Sequence, residues 1–413
     1  MTRPPARPRI VIVGGAGAMG RITARDLSET AGAGTELVIA DRNGAAADRL
    51  ARSLRHGVRA LEVDAADPES LARRVGRATV IVNACHHDFN LRVMDAALSV
   101  GAHYCDLGGL FHVTRKQLRR HGEFKRKRLL AICGIGSAPG IVNVMAQAGA
   151  APLDRVHEVH IAVGTRDGTR RDEPSLLDTS YSILTVLDEA SQDAALFTGG
   201  RLQFVPPLSG GDAVDFPRPV GRMYPARTLH SELATLPAFF AGRGIREVSF
   251  RIDFPGDLLD RLRFVHRLGL TSTTPRFVGS TTVAPRDVLL ALLADAPKTV
   301  AVGHRDEYEV LRVIVRGQSG ARRTETVLDC HVPGMPAWGV GVDVDTGAPP
   351  SIAAQMIVSG QITGSGVLPP ERVVPSVLFF RELRRRGMRI TERRRPWPAL
   401  SARRRSKAAA AAK

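Results

Sequence analysis

His230 and Glu232 stand two residues apart, with Ser231 between them, Arg227 just before and Thr235 close behind. A carboxylate that orients one imidazole nitrogen leaves the other free to move a proton near neutral pH. One of the acids could instead grip a substrate ammonium. A purely structural arrangement is equally open, with Ser231 capping a helix and Glu232 in its first turn. A second polar stretch begins at Tyr181, which opens a helix carrying Asp188 and Glu189 at its far end. Asp188 could face a substrate, pair with an arginine or cap the next segment. His86, His87 and Asp88 form a third group. Adjacent histidines could do acid–base work, touch a substrate or pack a loop. No third ligand converges in the sequence, so no metal is expected. The catalytic candidates are His230, Glu232, Asp188 and Tyr181.

The elements that must hold these groups begin with a β-branched run at 10–13 that ends on a glycine cluster. Gly15, Gly17 and Gly20 have the G-x-G-x-x-G spacing, and helix-forming residues follow. Gly15 permits the turn, Gly17 lets a pyrophosphate approach the backbone, and Gly20 lets helix and strand pack closely. Phosphates would then meet free amides at a helix N-terminus, including those of Ala18 and Met19. The next strand, 36–40, ends on Asp41, 21 residues after Gly20, where an acid can accept hydrogen bonds from an adenosine ribose. This is a dinucleotide site. Asp41 favours NAD because a carboxylate repels a 2′-phosphate; Arg42, directly after it, could clamp that phosphate and admit NADP.

A third strand at 58–63 leads to Asp64 and Asp67, either of which could lie beside the adenine, while Asp67-Pro68 could equally cap a helix. A fourth strand, 78–84, ends at Ala84, Cys85 and His86. Another closes on Asp106, and 129–133 leads into a second glycine-dense turn from Gly134 to Gly140. Ligands in doubly wound sheets lie at the carboxyl ends of strands. The expected cofactor contacts are therefore Gly15, Gly17, Ala18, Met19, Gly20, Asp41, Arg42, Asp64, Ala84, Cys85, His86, Asp106 and Gly136.

The chain has 413 residues and a formal charge of +17. The charge is local: 13 Lys/Arg stand against two Glu in 381–413, and eight against one Glu in 114–129. Such runs read as a tail and a solvated helix, and nucleic-acid binding is not expected beyond nonspecific tail contacts. No uncharged apolar stretch is long enough to span a membrane, and the basic N-terminus lacks an apolar signal core. Four cysteines without a C-x-x-C pair fit free thiols in a reducing compartment, and a cytoplasmic protein is expected.

Seven separated motifs resemble the saccharopine dehydrogenase and lysine 6-dehydrogenase family. They are GGAGAMG (14–20) with Asp41, AALSVGAHYCDLGG (96–109), GSAPGIVNVMA (136–146), YSILTVLDEA (181–190), VDFPRPVG (214–221), HSELATLP (230–237) and GVLPPE (366–371). The resemblance implies an NAD(P)-linked oxidoreductase that makes or breaks a C–N bond through an imine. It also implies a second domain inserted after the sixth strand, with the chain returning to the first domain at its end. A homodimer is the expectation from fold-level analogy. His86-His87 departs from the pattern, since relatives often carry Pro with small residues in this loop, and suggests a specialised amine or imine. The alternative on the same fold is a non-catalytic dinucleotide sensor.

The residues agree with that architecture. Strand patterns at 156–163, 246–254, 299–302, 309–315 and 324–328, with helices between them, suggest an α+β unit with an antiparallel sheet. Late helices are expected at 351–360 and 373–386. The expected fold is α/β: a Rossmann-type doubly wound parallel sheet over 1–145, an inserted α+β substrate and dimerisation domain over 146–350, helices returning over 351–395, and a basic disordered tail over 396–413. Oxidation of an amine would need a hydride acceptor, a base for the ammonium proton and water for the imine.

Overall fold

Alternate residues of the first strand, β1 (Arg9–Val13), enter opposite cores, Ile10 and Ile12 on one face and Val11 and Val13 on the other. Such a strand belongs in the middle of a parallel sheet covered on both sides. The computed structural model describes residues 7–55, 57–173, 176–177, 179, 181–254, 257–297 and 299–397. After β1 come α1 (Ala18–Thr30), β2 (Glu36–Asp41), α2 (Gly44–Ser53), β3 (Arg59–Glu62), α3 (Pro68–Val75), β4 (Val80–Asn83), α4 (Asn90–Val100), β5 (His103–Asp106), α5 (Leu110–Leu118), α6 (His121–Arg126) and β6 (Leu130–Ile132).

Helix α7 (Ile141–Ala150) leads into the second domain. It holds β7 (Arg155–Asp167), α8 (Ile183–Ser191), β8 (Ala194–Thr198), β9 (Arg201–Val205), β10 (Val214–Asp215), β11 (Arg222–Met223), α9 (Glu232–Phe239), β12 (Glu247–Ile252), α10 (Leu258–Arg267), β13 (Arg276–Val278), β14 (Thr281–Val283), α11 (Pro285–Asp295), β15 (Glu307–Ser319) and β16 (Arg322–Val332). The chain then returns through α12 (Val344–Val358), β17 (Gly366–Leu368), α13 (Pro370–Val373), α14 (Ser376–Arg385) and β18 (Arg389–Pro396).

The first sheet runs β17-β6-β5-β4-β1-β2-β3, with all strands parallel. Its seventh strand, β17, comes from the far end of the chain. Helix α12 lies on α1 so closely that a Cβ on Gly347 would fall 2.5 Å from Ile22 Cβ. The expected return of the chain is thus made by strand β17 with helices α12, α13 and α14.

The second sheet runs β18-β16-β15-β7-β12-β8-β9. It is antiparallel except for β7 and β12, which pair in parallel, so it is mixed rather than wholly antiparallel. The hairpin of β8 and β9 turns at Gly199-Gly200, both at positive φ, and was not foreseen. Residues 299–302, expected as a strand, make only an isolated bridge between Ala301 and Arg171. Within the expected helical return, 389–396 is instead strand β18. Its arginines find acids on β16: Arg395 Nε donates to Glu325 at 2.6 Å, and Arg393 lies 3.3 Å from Asp329. The expectation of a disordered tail falls, beyond Trp397, outside the described residues. Among the described residues no helix is long and apolar enough to cross a membrane.

Candidate active site

The turn after β1 is shaped by close contact. A Cβ on Gly20 would sit 2.2 Å from the Gly14 carbonyl oxygen, and one on Gly15 would sit 2.9 Å from that of Ile12. Gly14 itself holds φ +74°, with Cys85 Sγ packed against it. Gly17 stands at the N-cap of α1 with no side-chain cap, so the first amides of the helix are open to an anion. Ala18 is exposed beside this opening, whereas the Met19 side chain is buried in the core and leaves only its backbone there.

Asp41 closes β2, and its two carboxylate oxygens accept from the Ala16 and Asn43 amides at 3.0 Å each. It is therefore held against the glycine turn. Arg42 is exposed. Asp64 is also exposed and accepts from Ala66 N–H within its own turn; Asp67 caps α3. Ala84 is half-buried at the end of β4. Burial, then Asp41 and Asp64, push the Cys85 thiol up to about 12, so it packs as a neutral group.

Asp106 is turned inward. It accepts from Gly108 N–H, Gly134 N–H, the Tyr104 hydroxyl and Gln117 Nε2, at 3.0, 2.7, 2.9 and 2.5 Å. Expected as a cofactor contact, it is instead the tie between the loops after β5 and β6. Gly136 is buried in the second of these loops, where Gly140 approaches so closely that a Cβ would lie 2.1 Å from the Gly136 oxygen.

An open cleft of about 290 Å³ lies at the carboxyl ends of β4 and β5, lined by His86, His87, Asp88, Gly109, Asp188 and Arg286 among others. Helix α8 brings Asp188 to the two histidines: its Oδ2 is 3.5 Å from His86 Nε2 and 3.4 Å from His87 Nε2. Arg286 at the start of α11 secures the other oxygen at 2.5 Å, while its remaining nitrogens donate to Thr271 O and Ser191 Oγ. Burial would raise the Asp188 carboxyl, but His86 and Arg286 outweigh it and hold the group below its usual value. Burial and then His86 lower His87, so its imidazole is neutral at pH 7. His86, His87 and Asp88 bring ligand atoms within 4.8 Å of one another. The Arg286 guanidinium, paired with Asp188, lines the same cleft.

His230 lies in a separate, closed cluster. It stacks on Phe250 at 3.7 Å, with Glu232 Oε2 3.3 Å from Nδ1 and Glu189 Oε1 3.6 Å from Nε2. Tyr181 donates its hydroxyl to the other Glu189 oxygen at 3.1 Å. Burial pulls His230 down, but Glu232 and Glu189 prevail and carry it up to about 10. It is an imidazolium at neutral pH and balances buried acids. Ser231 lies at the N-cap of α9 but makes no capping bond; its hydroxyl donates to Leu110 O and accepts from Thr114 Oγ1, joining the two domains beside Gly109. His230 and Glu232 are thus together with Tyr181, while Asp188, one residue from Glu189, faces the cleft.

Four polar residues were not singled out as sites. Arg286 sits 98 residues from Asp188, and nothing local marks the pair. Glu371, the acid of the GVLPPE motif, is buried and accepts from Asn143 Nδ2 at 3.0 Å. Half-buried Glu309 and buried Asp345 form a pair, with Thr165 donating to Glu309 at 2.7 Å and Ser137 to Asp345 at 2.8 Å. Burial raises both carboxyls, Glu309 further because Asp345 stands beside it.

A parallel sheet with a glycine cradle, facing a second domain across a polar cleft, defines a two-domain dinucleotide-binding protein. The chain belongs to the saccharopine dehydrogenase family: residues 10–132 match its NADP binding domain and 136–388 its C-terminal domain. Its fold is similar to that of saccharopine dehydrogenase (L-Glu forming) from Saccharomyces cerevisiae, with TM-score 0.68 and 15% identity over 94% of this chain and 100% of that one. It is also similar to homospermidine synthase from Legionella pneumophila, solved with NAD, with TM-score 0.65 and 12% identity over 96% and 93% of the two chains. At these identities the likeness concerns the fold.

Proposed function

We propose that the chain is an NAD(P)-dependent oxidoreductase acting on an amino acid or amine through an imine. One observation carries this reading: a neutral, buried His87 faces a cleft at the carboxyl ends of β4 and β5, where a dinucleotide laid over Gly15–Gly20 directs its nicotinamide. Cβ atoms on Gly14, Gly15 and Gly20 would strike the chain itself, so only glycine lets the turn close this tightly over the open amides at the start of α1, where a pyrophosphate would sit, and Asp41 stands at the ribose end. The carboxylate favours NAD over NADP.

When bound, the nicotinamide supplies hydride acceptance. The chain supplies position and proton transfer. His87 takes the ammonium proton of the substrate, since a neutral imidazole accepts it at pH 7. Asp188 orients both imidazoles and stabilises the charge that develops, and Arg286 fixes Asp188 in turn. Loss of hydride from carbon and of a proton from nitrogen leaves a C=N bond. Water adds to it, releasing a carbonyl compound and an amine or ammonia; the reverse sequence forms a C–N bond.

The test is absorbance of the reduced nicotinamide, with lysine, saccharopine and a diamine series for oxidation and with carbonyl–amine mixtures for reduction. Turnover of one of them by the wild type, lost in His87→Gln, supports the reading. Nucleotide binding without turnover across the panel favours a sensor, and absence of nucleotide binding by calorimetry ends both.

A further inference from the structure

The sequence places two histidines side by side without a third converging donor, and the fold supplies that donor from α8. Neighbouring residues of a regular strand or helix send their side chains to different sides. His86 and His87 escape this because the backbone changes between them. His86 is extended, at φ −56° and ψ 146°, and His87 opens a 3₁₀ turn, His87–Phe89. Their rings lie against each other with centroids 3.9 Å apart. Asp188 faces both.

The separations decide what this arrangement suits. Asp188 Oδ2 is 3.5 Å from His86 Nε2 and 3.4 Å from His87 Nε2. Both are long for hydrogen bonds to nitrogen, which end near ~3.2 Å. His86 Nε2 is buried and has no hydrogen-bond partner among the described residues. The same separations match the edge of a tetrahedron around an ion with bonds of about 2.0–2.2 Å, roughly 3.3–3.5 Å. The outer partners are also in place. Asp88 Oδ2 lies 3.3 Å from Nδ1 of His86, the nitrogen turned away, and Arg286 holds the other oxygen of Asp188 at 2.5 Å. The fourth corner is left to solvent from the cleft or to Asp88 Oδ1, 3.8 Å from His87 Nε2. Two carboxylates, Asp88 and Asp188, stand against one guanidinium in the wall, so the seat is net negative.

We propose that His86 Nε2, His87 Nε2 and Asp188 Oδ2 bind a divalent ion of the zinc class, and that the ion holds the cleft inactive by occupying the lone pair of His87. Imidazoles suit zinc, copper or nickel, whereas calcium and magnesium call for oxygen ligands. Binding stands on the geometry alone. Inhibition rests on the function proposed above, in which a free His87 takes the ammonium proton, so ion and amine compete for one nitrogen.

Cobalt reads the site directly, because four-coordinate Co²⁺ absorbs visible light far more strongly than the hydrated ion. The full chain, stripped with EDTA and desalted, should take up one Co²⁺ with those bands, and Zn²⁺ should displace it. Calorimetry with Zn²⁺ should give one site per chain. His86→Ala and Asp188→Asn should each abolish the bands and weaken Zn²⁺ at least about 100-fold, and Asp88→Asn, which alters an outer partner, about tenfold. His304→Ala, an exposed histidine outside the cleft, should bind as the wild type does. Unchanged circular dichroism and thermal midpoint without metal establish that the variants are folded; His86→Ala carries the test if Asp188→Asn, which unpairs Arg286, lowers the midpoint. A hydrated Co²⁺ spectrum, no heat with Zn²⁺, or binding that survives His86→Ala overturns the site. On an amine that the wild type oxidises, Zn²⁺ should raise the KM of the amine and not that of the nucleotide, and EDTA should reverse it. Full turnover with Zn²⁺ bound overturns the inhibition. A wild type inert on every amine sinks the proposed reaction and leaves the metal site to the cobalt spectrum.

Discussion

Two histidines in this protein are driven in opposite directions by what surrounds them, and their titrations separate their roles. His87 is lowered by burial and by His86. If it is the base, kcat/KM should hold level through neutral pH and fall only as pH drops through a value below 6.5. His87→Gln should cost about 100-fold or more in kcat, the usual scale for a lost general base. A variant that keeps full turnover, or an acid limb that it does not alter, would remove His87 from the chemistry. His230 is raised to about 10 by its acids, despite burial. A group raised on folding contributes stability fully below its unfolded pKa near 6.5 and loses it as pH rises through the folded value. Thermal melts from pH 7 to 10 should therefore show a decline in the wild type that is absent in His230→Gln. Equal slopes would mean that His230 is not the charged partner of Glu189 and Glu232.

At the scale of elements, helix α1 and helix α8 teach different lessons about reading a sequence. The glycine turn before α1 was legible because its constraints are local: strand, turn and helix lie within one short stretch, and Asp41 follows at a set distance. Gly20→Ala tests it, since the added methyl would meet both the Gly14 oxygen and Gly15 Cα, at 2.2 and 2.7 Å. Neither is a flexible side chain that can yield. Nucleotide affinity measured by calorimetry should fall at least tenfold, ~1.4 kcal/mol, and retention of wild-type affinity would show that the turn relaxes at no cost. Helix α8 was legible as a helix with acids at its end. That Asp188 turns to the cleft and Glu189 to the buried histidine depends on Arg286 and His230, both remote in the chain. The same holds for β18, whose run of arginines resembles a solvated tail until Asp329 and Glu325 of β16 are placed beside it. The hairpin of β8 and β9 differs: its Gly-Gly turn between alternating apolar residues was a local signal passed over.

The whole molecule is closed by contacts between its two ends, and the strongest of these is testable by one atom exchange. Asp26 of α1 is wholly buried, and Arg386, 360 residues later, forks onto both its oxygens at 2.7 and 2.8 Å. Ser351 of α12 donates to the same carboxylate at 2.5 Å, and Thr23 reaches the Gly347 carbonyl at 2.7 Å. The first domain thus takes its covering helix, its seventh strand and the partner of a buried charge from residues made last. Asp26→Asn keeps the shape but takes from the Arg386 guanidinium its buried anion and leaves it only the partly exposed Glu382 at 3.2 Å, a loss of up to about 3–5 kcal/mol. Asp48→Asn, in an exposed pair with Arg52 one turn apart, should cost less than about 1 kcal/mol. Trp338 provides the readout: its indole donates to Glu29 of α1 at 3.1 Å and lies under Arg25, so its emission reports on the same junction. Urea unfolding followed by tryptophan emission should shift to clearly lower midpoint in Asp26→Asn and stay put in Asp48→Asn. If the two variants unfold alike, the ends of the chain are held by the apolar contact of α1 with α12, and the buried ion pair adds nothing that packing does not already supply.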